Sequence, residues 1–483
     1  MKSIISKSIS SVVFAVILLS CNAGRPISKH PDNPHYFIWK GKPLVLITTD
    51  QHYGAVINLD FDYISFLDRL QEYGMNLTRI YPGGYVEMKD MYTKGNPLGA
   101  APDRFILPRK RSEVEGANPN LGKYKYDLDK WDNEYFIRLK DFVFQAAARK
   151  IIVEIAFFNG MYVDRWTMQP LYHINNIQGV GDGDFKLFTT MADPKLVARQ
   201  LEYVKKIASE LSKYDNIIYD ISDEPEMQHK ESREWNSVLL DALISVDHYR
   251  HIYGETANSA SPDFTGDDRT SWIPTEYISP MENTLDNDYV DNKPIVDVET
   301  AYYSYWYGAN PVDESRAESW YGMVGGLAGF IQLNSDFSTS NPSGRETSTQ
   351  DTILPQKKVL MNFINSLDFI KMQKFTGFAV TDSMVLARGI AETGKQYAIY
   401  LFHGTRKWEG WPQGPTASRI NIDMNWFRDK IIIDVPAGKY KAEWINPVSG
   451  ESIESSTVEW EGGKLVLLTP RYLADIALRM RRI

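Results

Sequence analysis

Two acidic runs carry residue types that could do chemistry together. The segment Tyr219-Asp220-Ile221-Ser222-Asp223-Glu224-Pro225 closes an apolar stretch on a glutamate, and Asp297-Val298-Glu299-Thr300 does the same further along. Carboxyls about 5 to 5.5 Å apart suit a double displacement at a sugar carbon: one attacks the anomeric centre while the other protonates the departing oxygen. Two buried like charges share protons unequally, so one serves as acid and the other stays ionised. Strict alternation of side chains along a strand gives Glu224, Ser222 and Asp220 one direction, and likewise Glu299 and Asp297, so that in a barrel both glutamates sit atop inward-facing rows.

Aromatic residues make up 13% of the chain, with 12 Trp and 28 Tyr, more than a core usually takes, so some rings are expected on a ligand surface. The densest cluster, Tyr302-Tyr303-Ser304-Tyr305-Trp306-Tyr307, follows Glu299, and Trp306 is the candidate for stacking on a sugar face. Trp166, Trp408 and Trp411 are weaker candidates of the same kind. His52 is a candidate hydrogen-bond partner for substrate, weighed against a structural role, and Tyr277 is weighed against core packing. The eight histidines show no metal-ligand spacing, so neither a metal nor a cofactor is expected. Gly179 to Asp184 reads as a flexible lid, and Arg109-Lys110-Arg111 as a solvated loop.

The elements that must position the two glutamates follow from hydrophobic period and turn residues. Phe37-Ile38-Trp39, the turn Lys40-Gly41 and the run Pro43 to Thr49 read as a hairpin continuing into a buried strand. Strands are expected at Asn76 to Tyr81, Ile151 to Phe157, Asn216 to Ser222, His251 to Thr256, Glu276 to Ser279, Ile295 to Glu299 and Gly329 to Leu333. Helices are expected at Phe61 to Tyr73, Trp131 to Lys150, Leu196 to Tyr214 and Arg233 to Val246, with Gln356 to Phe369 closing the unit. Eight strands, most followed by a helix, predict an α/β fold of the (β/α)8 TIM-barrel type. In a barrel the strands' C-terminal ends carry the chemistry, which is where Glu224 and Glu299 fall. Beyond Phe375 short alternating strands between Gly and Pro turns predict a small antiparallel β-sandwich.

The chain has 483 residues, 43% hydrophobic and 24% charged, a globular balance. Its charge, 53 − 62 = −9, disfavours nucleic acid as a partner. Lys2 and Lys7, the apolar run Val12 to Leu19 and Ser20-Cys21 have the layout of a secretory signal, too short to span a bilayer. Around the single cysteine, Leu18-Leu19-Ser20-Cys21 resembles a bacterial lipoprotein signal, which implies cleavage before Cys21 and a lipid anchor there. Without Lys2 and Lys7 the mature chain carries 51 − 62 = −11. Asn22 after the cysteine points to the outer membrane or cell surface. The expected organisation is a signal over 1–20, a linker and hairpin over 21–42, the barrel over 43–371 and the sandwich over 372–483.

Asp223-Glu224-Pro225 resembles the Asn-Glu-Pro motif on strand four of clan A glycoside hydrolases, the cellulase-like barrels that include family 5. Gly74-Met75-Asn76-Leu77-Thr78-Arg79-Ile80 is similar to a strand-two segment of family 5 whose arginine orients the nucleophile. Pro31-Asp32-Asn33-Pro34, Gly41-Lys42-Pro43 and Tyr440 to Gly450 also look like bacterial cellulase-like proteins that end in a small β-sandwich. The resemblance implies that Glu224 is the general acid/base, Glu299 the nucleophile and Arg79 its electrostatic partner. It departs at Asp223, which replaces the asparagine that bonds the sugar 2-hydroxyl, and at Phe158-Asn159 and Asn334, where histidine and tryptophan are common. The expected activity is retaining hydrolysis of β-glycosidic bonds in an extracellular poly- or oligosaccharide. The alternatives are a non-catalytic glycan-binding lipoprotein on a degenerate barrel, or an inverting or transglycosylating relative.

Overall fold

In the computed structural model the described residues are 24–49, 53–91, 94–223, 232–254, 269–276, 278–300, 311–332, 336–345, 347, 350–381, 384–408 and 418–483. Lys40 and Gly41 take positive φ of 50° and 73°, the turn that joins Phe37–Trp39 to Lys42–Leu44 as a two-residue hairpin. After Val45 the chain enters the first of eight parallel strands found among the described residues. These are β1 (Leu46–Thr49), β2 (Leu77–Ile80), β3 (Ile152–Asn159), β4 (Ile217–Asp223), β5 (Ile252–Gly254), β6 (Ile273–Glu276), β7 (Ile295–Thr300) and β8 (Gly329–Gln332). They pair as β5-β4-β3-β2 and β6-β7-β8-β1. Asn76 closes one seam, its amide accepting from Ile47 N at 2.9 Å and donating to Val45 O at 2.8 Å. At the other seam Ser271 N donates to Tyr253 O at 2.7 Å. The strand ladder is a TIM barrel.

The helices begin where short acids can cap them. Asp62, Asp132 and Asp193 each accept backbone N–H groups at the starts of α1 (Tyr63–Glu72), α2 (Asn133–Ala148) and α3 (Pro194–Leu211). The outer layer continues with α4 (Ser232–Val246), α5 (Ile278–Asn287), α6 (Pro311–Gly325) and α7 (Gln350–Asn365). Boundaries differ most from expectation at the sixth strand and the closing helix. The sixth strand is Ile273–Glu276, and Ser279 belongs to α5. Pro274 hid this strand, because proline is rare inside sheets; among the described residues β6 ladders with β7, where Ile273 N donates to Pro294 O, so the missing N–H of Pro274 falls on the other side. The closing helix starts at Gln350, with Pro355 inside it.

The stretch between the second strand and α2 is not structureless. Arg109–Glu115 and Tyr124–Trp131 form an antiparallel pair. Arg109 lies 3.5 Å over the Trp131 ring and 2.7 Å from Glu202, and Arg111 lies 4.1 Å over Tyr126, so these arginines are packed into the hairpin. Val180 and Gly181, within the glycine run at 179–184, are packed as well. A Cβ on Gly181 would meet Leu171 O at 1.9 Å, and Val180 N donates to Asn176 Oδ1 at 2.9 Å. Trp166, expected as a stacking candidate, is buried against Tyr172 and Phe188 and donates to Gly183 O.

Antiparallel sheets follow the barrel. Their main strands are β9 (Val385–Glu392), β10 (Gln396–Trp408), β11 (Ser418–Ile422), β12 (Trp426–Phe427), β13 (Lys430–Val435), β14 (Gly438–Ile445), β15 (Ser452–Trp460), β16 (Gly463–Leu468), β17 (Tyr472–Leu473) and β18 (Asp475–Arg482). Along β10 the side chains alternate between two cores. Tyr397, Ile399 and Leu401 join Ile431, Ile433 and Leu465 between the sheets, whereas Ala398, Tyr400 and Phe402 join the core of the barrel. Arg316 of α6 fixes the contact, its Nε 2.8 Å from Asp475 at the start of β18.

Candidate active site

At the C-terminal end of the barrel, Arg79 of β2 is fully buried and faces acids from three other strands. Its Nε lies 2.7 Å from Glu154 of β3, and Nη2 lies 2.8 Å from both Asp220 and Asp223 of β4. Its Nη1 lies 3.7 Å from Glu299 of β7, a looser contact than that with Asp223. Burial opposes the charge of Arg79, but the fields of Asp223 and Glu154 outweigh it and hold the guanidinium protonated. One cation thus faces four carboxyl groups, all of them buried.

Two phenols complete the cluster. Tyr53, just after β1, donates to Glu299 Oε2 at 3.0 Å, and its ring lies 4.5 Å from that of Tyr81. Tyr81 donates to Asp223 Oδ2, which also accepts from Asn159 Nδ2 at 2.7 Å. Burial, reinforced by the negative charges of Glu299 at Tyr53 and of Asp223 at Tyr81, pushes both phenols up and keeps them donors. Both oxygens of Asp223 therefore accept hydrogen bonds from inside the protein, which ties up a residue expected to meet the sugar 2-hydroxyl.

Strict alternation fails at the ends of both acid-bearing strands. Asp297 and Glu299 stand opposite Thr275 and Glu276, adjacent residues of β6, so a bulge at Val298 turns the two acids to opposite faces. Phe330 and Gln332, in register with Asp297 and Thr300, confirm the outward face: Lys357 of α7 lies 4.5 Å over Phe330, and Ser315 of α6 donates to Gln332. On β4, Asp220 and Asp223 bond the same nitrogen of Arg79 although they are three residues apart. Asp297 therefore does not share the inward row with Glu299, and Asp223 does share the inner side with Asp220.

Further toward the rim, Tyr85 packs edge-on against Tyr81 at 5.5 Å and donates to Glu87 at 3.1 Å. Glu87 also accepts from Asn96 at 2.8 Å and lies 3.8 Å from Arg165, which links the loops after β2 and β3. Burial pushes its carboxyl up to about 7 despite Arg165.

Of the residues expected from sequence, Arg79, Asp223 and Glu299 are brought together. Glu224, Tyr277, Trp306, His52 and Cys21 lie outside the described residues, as do Asn334, Trp411 and the side chain of Trp408. Sequence reasoning missed Tyr53, Tyr81 and Glu154. Glu154 carried a readable signal, a lone acid in the buried run Ile151 to Phe157. Tyr81 carried another, two residues after Arg79.

No family model and no curated sequence matches the chain. Solved structures do. One described as a glycoside hydrolase is 12% identical at a TM-score of 0.58, over 95% of this chain and 97% of that one. A family 5 glycoside hydrolase from Bacteroides vulgatus is 13% identical at a TM-score of 0.58, over 95% of this chain and 94% of that one. A family 5 mannosidase mutant from Rhizomucor miehei, in complex with mannosyl-fructose, is 11% identical at a TM-score of 0.50, over 71% of this chain and 99% of that one. The protein has the fold of clan A glycoside hydrolases of the family 5 kind, a TIM barrel followed by antiparallel β-sheets.

Proposed function

We propose that the protein is a retaining glycoside hydrolase acting on β-linked poly- or oligosaccharide outside the cytoplasm. Glu299 is the nucleophile in this reading, and Glu224 protonates the leaving oxygen and then deprotonates water. The observation that carries it is Glu299 at the end of the seventh strand, 4% exposed, with Tyr53 donating to it and Arg79 beside it. A donor and a cation at that carboxyl favour its ionised form, as a nucleophile needs. Glu224 takes its role from the Asp223-Glu224-Pro225 motif and from the placement of Asp223 across the cluster. A sugar bound to a structurally similar barrel supports a carbohydrate ligand.

The test is azide rescue. Glu299→Ala should lose activity on an activated aryl glycoside and regain it with azide, giving a glycosyl azide of inverted configuration. Rescue through Glu224→Ala with that stereochemistry would exchange the roles, and a first-formed anomer of inverted configuration from the wild type would sink the retaining reading. The proposal includes a lipid anchor on Cys21, checked by incorporation of labelled fatty acid that Cys21→Ser abolishes.

A further inference from the structure

The sheets after the barrel reach its catalytic end. Ser315 of α6 donates to Gln332, the last residue of β8, and the next residue, Arg316, holds Asp475 at 2.8 Å. Asp475 therefore stands level with the strand ends that carry Glu299. From there β18 runs toward the opposite end, where Arg479 donates to Ser366 beyond the C-terminus of α7 at 3.0 Å. What lies beyond its partner Phe402 on β10 is on the catalytic side, and so is what packs on His403, the next residue. That includes Gly404 to Trp408, paired with β11 and extending about 15 Å past this level, and the two-stranded ribbon of β12 and β17.

The ribbon has two unlike faces. Phe427 and Tyr472 turn inward: His403 stacks on Phe427 at 3.5 Å, and Asp429 accepts from Tyr472 and pairs with His403 Nε2 at 2.9 Å. Trp426 and Leu473, cross-strand partners, turn outward at 58% and 41% exposed, with Met424 beside them at 37% in sequence. Arg471 lies over one face of the Trp426 ring, 5.2 Å from its centroid. A large, mostly exposed ring on a buried, hydrogen-bonded support is pre-organised to stack through its other face, and the guanidinium on the first face supplies donors for hydroxyl groups.

We propose that Trp426, with Leu473 and Arg471, is a second glycan-binding surface, which holds a distal part of the same polysaccharide chain whose scissile bond lies at Glu299. The inference rests on the hydrolase reading for its ligand class, and its placement on the catalytic side lets one chain reach both. The occupant is a sugar polymer because apolar C–H faces meet the ring while equatorial hydroxyls meet Arg471.

The experiment is affinity electrophoresis of the full chain carrying Glu299→Gln through gels containing soluble β-mannan, β-glucan or β-xylan. Retardation in at least one gel is expected, weakened about five- to ten-fold by Trp426→Ala, restored by Trp426→Phe and unaffected by Val466→Ala on the far sheet. In the active enzyme Trp426→Ala should lower the ratio of kcat/KM on that polymer to kcat/KM on a one-sugar aryl glycoside by a similar factor. Retardation in none of the gels, or equal retardation with and without Trp426, overturns the proposal. So does a Trp426→Ala change in sedimentation without a change in retardation, which would make the face a contact between copies of this chain. Retardation lost with Trp426 while the wild type hydrolyses nothing would uphold this surface and defeat the hydrolase reading alone.

Discussion

Around Arg79 the barrel buries one guanidinium against Glu154, Asp220, Asp223 and Glu299. The sandwich fills the space between its sheets with Ile399, Leu401, Ile431, Ile433, Leu465 and Leu478. Charge in an interior costs desolvation that its partners only partly return, whereas aliphatic packing stabilises directly. The barrel spends stability to hold an electric field at its mouth; the sandwich supplies stability and a rigid support. The same β10 strand serves both, since its two faces belong to different cores.

Breaking the charged side should separate activity from stability. Glu299→Gln removes one acid from a crowded set, so hydrolysis should fall on the order of 10,000-fold while the melting temperature holds or rises. A drop in melting temperature with activity retained would make Glu299 structural. Arg79→Met should cost both, because it leaves several buried carboxyls without their cation; a loss of about 3–5 kcal/mol in urea unfolding is expected. The matching change in the sandwich, Leu478→Ala, should cost about 2–5 kcal/mol and leave kcat on an aryl glycoside within about two-fold. A large fall in kcat there would mean the sheets shape the catalytic cluster itself.

A smaller effect sharpens the comparison at the rim. Glu87, pushed up to about 7 from 4.5, binds its proton more tightly in the folded than in the unfolded state. Its contribution is fully present below about 4.5 and is lost as pH rises through about 7. Glu87→Gln keeps the uncharged form, so its stability relative to wild type should grow between pH 5 and pH 8 by on the order of 2 kcal/mol. A difference that stays flat with pH would show that Arg165 holds Glu87 ionised throughout.

Much of the fold was readable because its signals are local. The run Asn216 to Ser222 leads into acids and Ile295 to Glu299 ends in one, and both are barrel strands where expected. The sixth strand was misplaced because Pro274 interrupts its short run; its tolerance follows from the alternation of the ladder, in which Ile273 N donates to Pro294 O and the missing N–H of Pro274 falls on the other side. Arg109 and Arg111 read as solvated charge because nothing nearby in sequence announces the rings they cover. At the site, Arg79, Asp223 and Glu299 were legible as types at strand ends. Their partners were not: Tyr53 meets Glu299, and Glu154 meets Arg79, across strands far apart in the chain.

The amino-acid order alone determined an alternation of strands and helices, the acids at the ends of the fourth and seventh strands, and the switch to antiparallel sheets. These follow from side-chain period and turn chemistry, which act over a few residues. Only the assembled barrel decided which way the end residues point and what they touch. The bulge at Val298 separates Asp297 from Glu299, and the closeness of β2 to β4 at the mouth gives Asp223 to Arg79. Neither can be counted off a period of two, because each is set by contacts between segments that meet only when the sheet closes on itself.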